Sequence, residues 1–220
     1  MDFNNNILWI WEIFGVEVKI TRAIFNMWVI MLFLLLFAAA VRFAMRRWKQ
    51  IPSGFQNIME LAVEMFDNMV RSAAGENYMV LGNWFFAVFA LLLASNLSGI
   101  LGLRPPTSDW SAVFAFALAT FVLIQIFGIR YRGRKYLKRF LNPFNIIGEL
   151  ARPVSLSFRM FGNMLAGMIL ISLVYGLPIY LRFAIPSLLN AFFDLFTGAL
   201  QTYIFCVLSL TYIGSAAEEM

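Results

Sequence analysis

Long apolar runs, each closed off by a short cluster of basic residues, dominate this chain and confine it to folds that cross a bilayer. Ala23 to Val41 is apolar with Asn26 as its one strong polar interruption, and Arg42, Arg46, Arg47 and Lys49 follow at once. About 20 apolar residues cross the hydrocarbon core as a helix. Further apolar stretches cover 80–103, 110–129, 145–176 and 184–213. The pattern predicts an all-α polytopic membrane protein, a single membrane domain over 1–220 with about five transmembrane helices. Only 13% of the residues are charged, against roughly 25% in a soluble domain. The net charge of +5 would point to nucleic acid in a soluble protein. Here the basic residues sit between apolar runs, so the charge reads as topology and no nucleic-acid partner is expected.

The positive-inside rule fixes the orientation. The second basic cluster, Arg130, Arg132, Arg134, Lys135, Lys138 and Arg139, follows the third span. Both clusters then face the cytoplasm, with the N-terminus outside and Glu218 and Glu219 inside. The last two stretches, about 32 and 30 residues long, exceed a perpendicular span, so they must tilt strongly or run beyond the bilayer. Gly176-Leu177-Pro178 and Pro186 separate them, which predicts a long tilted C-terminal hairpin. Residues 55–71 differ. Glu60, Glu64, Asp67 and Arg71 share one helical face, and Phe55, Met59, Ala62, Phe66 and Met69 share the other. This is an amphipathic surface helix. Its mostly acidic polar face favours a protein partner over lipid headgroups. There is no internal repeat of the kind that builds many transporters.

Several chemistries are excluded. The chain has no histidine, which removes HExxH zinc sites, Ser-His-Asp triads and histidine proton relays. A lone cysteine, Cys206, builds neither a disulfide framework nor a metal site. No phosphate-binding glycine loop is present. No catalytic residue, metal or cofactor is expected, and the Asp- and Asn-rich N-terminus does not read as a signal peptide.

One residue stands against the apolar background. Arg159 lies in the middle of 145–176, where an arginine costs about 3 kcal/mol on insertion scales and about 10 or more in simulations. Its pKa, above about 12, keeps it charged. It must face water or a counter-charge. Ser155 and Asn163 lie four residues to either side on the same helical face. A structural arginine tying two helices together is the plain alternative, but the spans hold few acids to pair with it. On the last span, Asp194 and Gln201 are seven apart and share a face, with Ser209 extending it. Gln201 is placed to reach Arg159 in an antiparallel hairpin, and Asp194 lies about two turns nearer the outside. A buried, unpaired carboxylate takes a proton or a cation, so these residues read as the wall of an aqueous half-channel opening outward, with helix–helix hydrogen bonds in the core as the plain alternative. Glu149 and Arg152, three apart, read as an ion pair or a channel element. Asn96 with Ser95 reads as a cavity lining or as a bond between helices.

At these residues the sequence resembles subunit a of the F-type ATP synthase membrane sector. The resemblance rests on Leu141-Asn142-Pro143-Phe144-Asn145, Glu149-Leu150-Ala151-Arg152-Pro153-Val154-Ser155, Phe158-Arg159-Met160-Phe161-Gly162-Asn163-Met164-Leu165-Ala166-Gly167 and Ala199-Leu200-Gln201-Thr202-Tyr203-Ile204-Phe205, with Tyr212 beyond. It covers nearly the whole chain. It implies a multi-pass protein of a bacterial inner (plasma) membrane that is a non-catalytic, ion-translocating part of a rotary motor. It further implies that Arg159 is the family's essential arginine and Gln201 its partner, and that the two longest helices wrap a ring of c subunits. Two half-channels then lead H+ or Na+ to and from the ring's carboxylates, and peripheral-stalk b subunits and membrane lipid are further partners. The chain departs from many members at two places, with Met168 where a glutamate is common and Asp194 where a histidine or glutamate is common. Together with the absence of histidine, the run Phe193-Asp194-Leu195-Phe196 resembles the sodium-translocating members and tips the expected ion toward Na+. A stand-alone cation channel or secondary transporter is the alternative.

Overall fold

The computed structural model describes residues 7–13, 16–48, 54–133, 136, 142–176, 178 and 185–218. Several residues used above, namely Asp2, Lys49, Arg134, Lys135, Lys138, Arg139, Leu141, Leu177 and Glu219, lie outside them. An antiparallel hairpin comes first, β1 (Ile7–Ile13) paired with β2 (Val16–Thr21). The sequence reading did not anticipate it. Its alternating Trp and Ile residues suit strands, and it ends where the Thr21 hydroxyl accepts from the Ile24 amide and caps α1 (Arg22–Ala44).

α1 is apolar on every side and mostly exposed, which suits a helix solvated by lipid. Its single interior amide is satisfied, because Asn26 Nδ2 donates to the Arg104 carbonyl at 2.9 Å. α2 (Phe55–Ala73) is the predicted amphipathic helix. Phe66 and Val70 are buried and Met59, Ala62 and Met69 turn partly inward, while Glu60 and Glu64 face out and Phe55 is exposed. Glu60, Glu64 and Asp67 line a groove of about 650 Å³ together with Phe37, Val41 and Arg42 of α1.

Among the described residues four helical segments are long and apolar enough to cross a membrane: α1, α4 (Trp110–Arg132), α5 (Pro143–Val174) and the run Ala191–Ala216. The expected second span is α3 (Leu81–Leu97), a helix of 17 residues. At about 1.5 Å per residue it covers about 25 Å, short of the ~30 Å core. The remainder of 80–103 winds into tight turns, with Gly99 N–H donating to the Asn96 carbonyl and Gly102 N–H to that of Gly99. α5 has 32 residues and is about 48 Å long, so it must tilt steeply or emerge from the bilayer, as expected. Asn142 caps it through the Phe144 amide, and Pro143 fits the first turn because a proline there loses no helical hydrogen bond. The last run starts as α6 (Ile185–Asn190), passes through a π-helical segment over Ala191–Thr197, and continues as α7 (Gly198–Glu218).

α7 is the hub. Phe205, Cys206, Leu210, Ile213 and Ala216 are buried against Val70 and Ala74, Phe85 and Leu92, Val113 and Ala117, and Leu156 and Met160 of the surrounding helices. The approach to α2 is close enough that a Cβ on Gly214 would sit 3.0 Å from Ala74 Cα. In lipid, where the hydrophobic effect does not separate helix faces, small residues that permit such contact hold helices together by dispersion.

Candidate ion-path site

Packing against the bundle sorts the two faces of α5. Leu156, Met160, Met164, Gly167 and Ile171 recur at helical spacing and are buried against the bundle. The opposite face carries Ser155, Phe158, Arg159, Gly162, Ala166, Ile169, Leu170 and Leu173, all exposed. Arg159 stands at the midpoint of the helix, and Asn163 beside it is half-buried. Among the described residues no hydrogen bond or ion pair engages the Arg159 guanidinium. The structure therefore brings Ser155, Arg159 and Asn163 onto one face, as the spacing predicted, and turns that face away from the chain's own core. A permanent cation at this place on an apolar surface needs water or a counter-charge beside it.

Gln201 is on α7 and 8% exposed. Its Nε2 has no hydrogen-bond partner among the described residues, and neither has the buried Oγ of Ser209. No hydrogen bond joins Gln201 to Arg159. A change in helical winding lies between Asp194 and Gln201. Residues 191–197 wind as a π-helix with i→i+5 bonds, so the seven-residue phase of a uniform α-helix does not hold across them. Asp194 instead packs against Gly99, where an added Cβ would lie 2.5 Å from its Oδ2.

Asn96 is 1% exposed and fully engaged. It donates to the Gly198 carbonyl at 2.9 Å and to Thr202 Oγ1 at 3.0 Å, and it accepts from Thr107 Oγ1 at 2.7 Å. This side chain bolts α3, the turn before α4 and α7 together. Of the two sequence readings, the geometry matches the bond between helices. Glu149, also 1% exposed, takes the Arg152 Nη1 at 3.0 Å and Gln125 Nε2 at 3.5 Å. Gln125 in turn accepts from the Tyr136 hydroxyl, and the Arg152 guanidinium lies 5.0 Å over the Tyr212 ring. The ion pair is thus the core of a polar network joining α4, α5 and α7.

Gln125, Thr107 and Thr202 were missed in the sequence reading. Gln125 was detectable, being the sole amide in 110–129. The two threonines carried no signal, since a lone hydroxyl in an apolar run bonds its own helix as readily as a neighbour. Among the described residues no group of three or more Cys, Asp or Glu side chains is placed to hold a metal ion.

Fold and site together define a polytopic helical membrane protein that turns an apolar, arginine-centred face of a very long helix outward. The model of the ATP synthase A chain family matches residues 24–214. The chain is 33% identical over 213 residues to ATP synthase subunit a of Moorella thermoacetica, covering 93% of this chain and 94% of that one. It is 36% identical over 180 residues to ATP synthase subunit a 2 of Syntrophotalea carbinolica, covering 77% and 75%. It is also 32% identical over 227 residues to the chloroplastic subunit a of Stigeoclonium helveticum, covering 95% and 89%. The chain belongs to the ATP synthase subunit a family, and is a multi-pass component of that complex's membrane sector.

Proposed function

We propose that this subunit is the stationary ion-conducting element of a rotary ATP synthase in a bacterial inner membrane, and that Arg159 is its working charge. The observation that carries this reading is the unpaired guanidinium at mid-length on the outward apolar face of α5. A ring of c subunits presenting a carboxylate at the same depth supplies the counter-charge that no described residue of the chain provides. At about 4 Å and an effective dielectric near 20, such a pair attracts by about 4 kcal/mol. That is about three decades in the ion-binding equilibrium of the carboxylate, enough to expel H+ or Na+ as it passes. The same fixed charge repels cations that would leak between two half-channels.

Ser155 and Asn163 flank the charge and hold water at it. Asp194 and the partnerless amide of Gln201 lie along the outer path, and Glu149 lies toward the cytoplasmic end. The polar groups of the outer path include a carboxylate but no histidine relay, and this favours Na+ over H+ as the ion carried. The acidic α2 faces the cytoplasm beside peripheral-stalk b subunits, with the N-terminus outside and the C-terminus inside.

The test is Arg159→Ala in the assembled complex. Ion-driven ATP synthesis is expected to fall below a few per cent of wild type while the chain still assembles, as judged by immunoblot of the purified enzyme. Near-normal synthesis removes Arg159 from the mechanism. The ion is decided separately. Na+ at neutral pH is expected to stimulate ATP hydrolysis and to protect the ring carboxylate from carbodiimide, and no effect of Na+ refutes the sodium assignment.

A further inference from the structure

Where the last turns of α3 meet the π-helical segment, the two backbones approach closely, and glycines stand at two of the facing positions. A Cβ on Gly198 would sit 3.0 Å from Asn96 Cβ. A Cβ on Gly99 would sit 2.5 Å from Asp194 Oδ2, 2.8 Å from its Cγ and 3.2 Å from its Oδ1. The first contact fixes the register, because Asn96 is hydrogen-bonded to the Gly198 carbonyl and to Thr202. The second is different in kind. The whole carboxylate of Asp194 occupies the space that a side chain at 99 would fill. The i→i+5 winding of 191–197 widens the turn that carries Asp194. Such π segments concentrate at functional sites.

We propose that Gly99 is the positioning residue for the Asp194 carboxylate, so that an acid at 194 and an acid at 99 are alternative ways of putting one negative charge at the same point of the outer ion path. This rests on the reading of Asp194 as part of that path. The geometry makes the two positions exchangeable. The Cγ of Asp194 is 2.8 Å from the Gly99 Cβ position, and the carboxyl carbon of an aspartate at 99 is one bond from that same Cβ. Both acids together are incompatible, since two carboxylates sharing one site cannot both ionise at ordinary cost. A methyl group at 99 is also incompatible, because it collides with the carboxylate and displaces it. A displacement of about 1 Å at a working group can cost as much as a hundredfold in rate.

The experiment is a transposition cycle in membranes carrying the whole complex, read as ion-driven ATP synthesis per assembled enzyme. Asp194→Gly is expected to lower the rate about tenfold or more, and so are Gly99→Ala and Gly99→Asp alone. The double variant Gly99→Asp/Asp194→Gly is expected to recover to within about threefold of wild type, a coupling of the size seen for groups in direct contact. A purely structural glycine predicts the reverse, with Gly99→Asp remaining defective whatever stands at 194. The inference is overturned if assembled Gly99→Ala works normally. It is also overturned if the double variant is no better than Asp194→Gly, or does not assemble. If Asp194→Gly alone runs at the wild-type rate, the ion-path reading of Asp194 falls first and takes the proposal with it. If Gly99→Ala does not assemble, the double variant decides.

Discussion

Replacing Asn96 by alanine separates a bolt from a channel lining. The side chain makes bonds of 2.7, 2.9 and 3.0 Å, one to the turn before α4 and two to α7, and is 1% exposed. The loss is not uniform across those partners. The Gly198 carbonyl keeps the Thr202 hydroxyl at 2.9 Å, and Thr202 keeps that acceptor. The buried Thr107 hydroxyl, by contrast, loses the acceptor described for it. An unpaired buried hydroxyl costs ~1–3 kcal/mol, and interhelical bonds within membranes average about 0.6 kcal/mol. With the small cavity left behind, Asn96→Ala should destabilise the chain by about 2–3 kcal/mol. In a chain of this size ~1 kcal/mol moves the midpoint by about 2–4 °C, so the melting temperature should fall by roughly 4–12 °C. The assay is built in, because Cys206 is buried and reacts with a thiol dye when α7 separates from the bundle. Thr107→Val added to Asn96→Ala should restore about 1 kcal/mol, since the orphaned hydroxyl is then gone. The reasoning fails if Asn96→Ala melts within about 1 °C of wild type while ATP synthesis falls tenfold. That outcome would put Asn96 in the ion path and leave the bundle without its bolt.

Three further outcomes follow from the geometry. Glu149→Gln removes the charge that Arg152 pairs with at 3.0 Å. Because Arg152 is partly exposed and also lies over Tyr212, the cost should be about 1–3 kcal/mol, below the full penalty for a broken buried pair, and a double-mutant cycle with Arg152→Met in thermal melts checks it. Gly128→Ala places a methyl 2.5 Å from the buried Tyr136 ring. It should cost ~1–3 kcal/mol by overpacking, reversed by adding Tyr136→Leu, as read from melting midpoints. Arg71→Ala should leave stability within about 0.5 kcal/mol, since its pairing with Glu76 is an exposed contact at 3.5 Å; a drop beyond about 3 °C would mean that α2 is held by more than its apolar face.

That this chain lives in a bilayer, where its long helices run, which face of α2 is apolar, and that one arginine sits at mid-span beside Ser155 and Asn163 are all legible in the order of residues alone. These follow from run length and helical period, which are local properties and survive any packing. The family signature around Arg159 and Gln201 was equally legible, because it is a string of neighbours. The direction in which that arginine points, the use of Asn96 in bonds between helices and the seat of Asp194 against Gly99 came only with the packed fold. The expected second span is longer than α3 for the same reason, since the mostly apolar residues 98–103 suit a turn in protein surroundings as well as a helix in lipid. Apolarity reports depth in the membrane, while direction and partnership depend on residues about a hundred positions apart, and no local pattern encodes those. In lipid the outer and inner faces of a helix are both apolar, so the period that reveals a core in water is nearly silent until the neighbouring helices are in place.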